Sequence, residues 1–144
     1  MTKQERIEKL FNPLFDVYRK KITPANEELL DIFRQTASER NVPSALIEEL
    51  IEFYKISNGV NPCLDGFSFH PCNDTVLYEW WEDYEQLWLG GRDDDLLRWS
   101  EGKFCLGDAF DDSYGKEYEF STLIELLEKG FAEWFPDENT INES

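Results

Sequence analysis

The chain reads as an α+β domain, a small and mostly antiparallel sheet covered by helices. Three observations predict this. Residues 1–58 carry apolar side chains at helical spacing in successive runs, residues 66–120 contain short alternating runs punctuated by Gly, Pro and Asp, and an amphipathic run closes the pattern at 122–135. A length of 144 residues suits one domain with a real core. Hydrophobic residues make up 41% of the chain and aromatics 15%, which is core material and not the composition of a disordered acidic segment.

Each element has a local cause. Thr2 with Glu5 has the form of a capping box, and Ile7, Leu10, Phe11, Leu14, Phe15 and Tyr18 follow at helical spacing. Pro13 falls inside that run and is expected to kink the helix or split it after Phe11. Thr23-Pro24 reads as N-cap and first residue of a second helix, with Leu29, Leu30, Phe33 and Ala37 as its stripe. A third helix opens at Pro43, carries Leu46, Ile47, Leu50, Phe53 and Tyr54, and is expected to stop at the structural turn Asn58-Gly59, where Gly tolerates the positive φ of a helix C′ residue. Asn61-Pro62 forces extended or turn geometry, residues 66–70 alternate as a short strand, and Pro71 closes it.

Asn73, Asp74 and Thr75 are N-cap types. Val76, Leu77, Trp80, Trp81, Tyr84, Leu87 and Trp88 then recur at three and four, predicting a helix with an aromatic and an acidic face that Gly90-Gly91 terminates. Residues 92–97 read as an acid-rich loop centred on Asp93, Asp94 and Asp95. Residues 103–106 read as a strand ending at Gly107-Asp108, followed by a polar turn with Asp111-Asp112 and a strand at 116–120 that pairs back as a hairpin. Thr122 with Glu125 caps the last helix, Pro136 ends it, and 137–144 is an acidic tail.

The net charge of −17 is unevenly spread: residues 1–40 sum to +1 and the rest to −18. Such a field repels phosphate backbones and anionic lipid, so neither nucleic acid nor a membrane surface is an expected partner. A basic protein is, although acidity also serves solubility. Three cysteines imply no disulfide framework; with a charged N-terminus and no apolar run able to span a bilayer, a reducing cytoplasm fits.

Catalytic and metal chemistry finds little support in the sequence. Cys63, His70 and Cys72 have no common zinc spacing, and an acidic setting disfavours a thiolate. Asp108, Asp111 and Asp112 could chelate a cation or serve a small hydrolase, but they read more simply as Asp side chains capping a turn. No phosphate-binding glycine motif occurs, so no cofactor is expected. The remaining feature is an acidic, aromatic surface: Glu79, Trp81, Glu82 and Asp83, then Asp93, Asp94 and Asp95, then Asp108, Asp111 and Asp112. Trp80 and Trp88 are read as the core side of the aromatic helix, with Trp81 as an exposed anchor.

From Val42-Pro43 through the helix to Asn58-Gly59, then the strand closed by Pro71, the strand from Phe104 into Gly107-Asp108 and the final amphipathic helix, the chain resembles the SUKH superfamily. That group includes bacterial immunity proteins and the yeast regulator of cell-wall glucan synthesis of the Smi/Knr type. The resemblance covers residues 23–135, although the block at 74–99 matches none of its motifs. It implies an α+β domain without catalytic residues that neutralises a toxin by direct contact, with cell-wall regulation or signalling as the other role the family offers.

Overall fold

The computed structural model describes residues 1–136; the acidic tail lies outside the described residues. A six-stranded antiparallel meander, in the order β1-β2-β3-β4-β5-β6, forms the middle of the molecule. Its strands are β1 (Val60–Leu64), β2 (Phe67–Phe69), β3 (Leu87–Arg92), β4 (Asp95–Ser100), β5 (Lys103–Gly107) and β6 (Glu119–Phe120). The helices are α1 (Lys3–Val17), α2 (Glu27–Glu39), α3 (Ser44–Tyr54), a one-turn α4 (Trp81–Tyr84) and α5 (Leu123–Trp134). The fold is α+β, as the sequence predicts.

The helical half follows its sequence signals with three corrections. Thr2 and Glu5 form the capping box, and α1 continues through Pro13 unsplit. The cap of α2 is Asn26, whose Oδ1 accepts from the Leu29 N–H at 2.8 Å, not Thr23. Thr23 and Ala25 are instead tied to the end of α3, where the Asn58 N–H donates to Thr23 O and the Ala25 N–H to Tyr54 O. That helix stops at Tyr54, four residues before the expected turn. Gly59 is needed for a different reason: φ is +81°, and a Cβ there would lie 2.4 Å from Phe69 O, so it lets β1 leave α3 hard against β2.

The largest correction concerns residues 74–97. Only a short 3-10 turn (Thr75–Tyr78) and the single turn of α4 are helical; Leu87 onward is strand. Gly90-Gly91, expected to end a helix, sits in the middle of β3. A Cβ on Gly90 would fall 2.2 Å from Ser68 O, so the residue permits close passage beside β2. The acid-rich loop is a tight hairpin, Arg92 pairing with Asp95 and only Asp93 and Asp94 at its tip. On the far side, Lys116–Tyr118 is a 3-10 turn and only Glu119–Phe120 pairs with β5, the partner expected.

Register assigns the two faces of the sheet. Leu87, Trp99, Phe104 and Phe120 align across β3 to β6, with Leu97 beside Leu106, and this face meets the helices. A register shift between Trp88 and Gly90 lets Leu89 bury alongside Leu87. The adjoining part of the core is a cluster of aromatic rings: Phe11 of α1 packs on Phe53, Phe67 and Phe131, and Phe53 lies 4.5 Å from Phe69 between centroids. Trp88, Arg98, Cys105 and Glu119 align on the opposite face.

Candidate functional site

That opposite face is covered by side chains and one loop. Trp80 stacks on Trp88 at 4.8 Å and 25°, His70 meets Trp88 edge-on at 4.7 Å, and the Arg98 guanidinium lies over Trp80 at 5.0 Å. Arg98 is only 4% exposed. A buried cation needs acceptors, and it finds them in the backbone of residues 108–112: Nη2 donates to Asp108 O at 2.8 Å and Nη1 to Asp111 O at 3.3 Å, with the Asp112 carboxylate 3.8 Å away. Gln86 Nε2 donates to Asp112 Oδ2 at 2.7 Å.

The loop also ties itself. Asp108 Oδ1 accepts from the N–H groups of Phe110 and Asp111 at 2.8 and 2.7 Å, and these bonds, Asp111 first, lower the carboxyl's pKa. Gly107 allows the loop to fold back, since a Cβ there would sit 2.2 Å from Asp111 O. The loop thus held presents Phe110 at 95% exposure, and nearby Tyr84 is 68% exposed. Tyr84 lines a hollow of about 350 Å³ together with Trp80, Gln86, Arg98, Asp112 and Ala109, the residue before Phe110.

No protein-family model matches the chain, and no curated protein matches it.

The expected acidic residues fall into two groups joined by this loop. Glu79, Glu82 and Asp83 are exposed around α4, beside Tyr84 and Gln86, with Glu82 paired to Arg40 at 2.8 Å. Asp93 and Asp94 are exposed at the hairpin tip, at the other end of β3. Asp95 is not free: it accepts from the Tyr114 hydroxyl at 2.6 Å and from Trp134 Nε1 at 2.7 Å. Trp81 is the clear misassignment. It is 6% exposed and donates from Nε1 to Arg40 O at 2.7 Å, so it anchors α4 to the end of α2, while Trp80 and Trp88 form the stack on the outer face. Asn58 and Gly59 shape the β1 entry, away from the acidic face; Asn58 Oδ1 accepts from the Cys72 N–H at 2.9 Å.

Tyr84, Phe110, Tyr114 and Arg98 are the residues that sequence reasoning missed. Phe110 left one signal, a lone large apolar residue inside an otherwise polar turn. Arg98 left none, because a cation within a strand normally faces solvent.

The candidate chemical groups are otherwise engaged. Cys72 and Cys105 are buried, and burial pushes each thiol up to about 11, away from thiolate character; Cys63 is exposed. Burial pushes the His70 imidazole pKa down. Among the described residues no three or more His, Cys, Asp or Glu side chains are grouped to hold a metal ion. Of Asp108, Asp111 and Asp112, the first is occupied by backbone donors and the last by Gln86. Nor is any helix among the described residues long and apolar enough to cross a membrane.

Proposed function

We propose that this chain is a non-enzymatic, cytoplasmic binding domain that neutralises a toxin by occlusion, in the manner of SUKH immunity proteins. The observation that carries the reading is Phe110, an almost wholly exposed aromatic on a loop whose backbone is pinned by Arg98 and Asp108. Exposing a large apolar side chain on a fixed support is costly to solubility and useful for docking, because little conformational freedom is lost on binding. Tyr84 and the hollow beside it extend that surface, and the surrounding carboxylates give it the sign to steer a basic partner.

The partner is identified by its gene, expected beside this one and encoding a large toxin with a variable C-terminal domain. Cells producing that toxin domain should grow only when this chain is co-expressed. Tyr84→Ser with Phe110→Ser should abolish protection while the purified variant stays folded. Full protection by the double variant would remove this face from the interface. Growth arrest despite co-expression of the unaltered chain would reject the immunity role.

A further inference from the structure

Away from the acidic face, a groove of about 630 Å³ opens between the connection from α1 to α2 and the β1 edge of the sheet. Its polar lining includes two lysines and four asparagines. Lys20 and Lys21 reach it from the segment after α1, and neither forms an ion pair among the described residues. Asn26 and Asn58 line it too, and both amide oxygens are already committed, one to the Leu29 N–H and the other to the Cys72 N–H. An amide whose oxygen is held by the backbone has its NH2 group left to offer. Asn61 and Asn73 contribute two further exposed amides. Glu27 and Glu28 follow Asn26 in α2 but are not part of the lining.

We propose that this groove binds an extended acidic peptide segment of a partner protein, the lysines taking its carboxylates and the asparagine NH2 groups its main-chain carbonyls. The lysines set the sign of the ligand, and the neutral donors beside them match neutral carbonyls, which a peptide carries at every residue. Phe15 and Leu64 provide apolar wall for intervening side chains. A nucleic acid carries a phosphate at every nucleotide and needs a run of cations to match, whereas the groove offers two lysines beside neutral amides, enough for a peptide with one or two carboxylates among neutral carbonyls. Strand addition is not the mode. Pro62 lacks an N–H, and the β1–β2 register shifts between Val60 and Leu64, both of which blunt that edge. This inference is independent of the acidic-face reading.

The test is an NMR titration of the isotope-labelled full chain with a synthetic peptide of alternating Glu and Leu, the same peptide with Lys for Glu, and inorganic phosphate. The Glu peptide should shift the amides of residues 20–26 and 58–64 and saturate below about 1 mM, and the Lys peptide should not. Asn26→Asp with Asn58→Asp keeps both oxygens in their backbone bonds while removing both NH2 groups; it also adds two charges, so the weakening of at least about tenfold, relative to the parent at the same salt, should persist in about 0.5 M salt, where those charges are screened. Lys20→Gln with Lys21→Gln, on exposed positions, should weaken it by about the same factor. Failure of the Glu peptide to saturate, shifts confined to other residues, equal binding of the Lys peptide, or unchanged affinity in either variant would overturn the proposal. Phosphate displacing the peptide from those amides at comparable affinity would overturn it as well, and assign the groove to a small anion.

Discussion

The two faces of the sheet are made from the same strands and held by different forces. On the inner face, Phe67, Phe69, Leu97 and Leu106 meet Phe11, Phe53 and Phe131, and fit is a matter of volume and apolarity alone. On the outer face the cover is a loop, whose backbone carbonyls need donors once they leave water. Arg98 supplies them from within a strand, and the aromatic stack of Trp80 and Trp88 shields it. Apolar packing sets how stable the domain is; a few polar bonds set where Phe110 is held.

The comparison predicts that inner-face substitutions act globally and outer-face ones locally. Phe67→Ala removes a fully buried ring that touches Phe11, Phe131 and Trp134, and should cost about 3–5 kcal/mol in chemical denaturation. Arg98→Met should cost less, about 1–3 kcal/mol, because it trades a buried cation for an apolar side chain while taking the Arg98 donor from Asp108 O and one of two donors from Asp111 O, which keeps the Asp108 N–H. Its signature is local: amide exchange across 108–114 should accelerate beyond the change in global stability. Exchange there that merely follows global unfolding would mean that something other than Arg98 holds the loop.

The same contrast explains what was legible in the sequence. Helices α1, α3 and α5 each bury one stripe, so their apolar period appears undiluted; β2 was marked by alternation and the breaker Pro71, and β5 by a short apolar run ending at Gly107-Asp108. Strands β3 and β4 were hidden because both of their faces are covered. Trp88 on the outer face is as large and apolar as Leu87 and Leu89 on the inner one, which erases the alternation and leaves a spacing that continues the helical run from Trp80. In β4, Arg98 looks solvated and is not. The acidic character of the site was readable from composition alone. Its aromatic anchors were not, because exposure of Phe110 and burial of Trp81 depend on which way a loop and a single helical turn fold back.

Asp95 sharpens the comparison, since it stands beside Asp93 and Asp94 in sequence but belongs to the scaffold. Asp95→Ala removes the acceptor shared by Tyr114 and Trp134, joining the loop region to α5, and should cost about 1–2 kcal/mol. Asp93→Asn with Asp94→Asn, at the exposed tip, should stay within about 0.5 kcal/mol of the parent. Equal costs for the two changes would mean that Asp95 is as dispensable to the fold as its neighbours.

The smallest stability effects carry the most information about binding. Phe110→Ser removes a side chain that is 95% exposed, so its effect on stability should also stay within about 0.5 kcal/mol. Against the toxin domain proposed as partner, the aromatic and the carboxylates should separate kinetically. An exposed charge acts at a distance and mainly on encounter, so Asp93→Asn with Asp94→Asn should slow association several-fold at low salt and hardly at physiological salt. A docked ring acts only once contact is made, so Phe110→Ser should leave association nearly unchanged and speed dissociation by about tenfold or more. If both variants changed association alone, Phe110 would be a bystander and the acidic field the whole of recognition; if neither changed either rate, the partner would dock on a different surface.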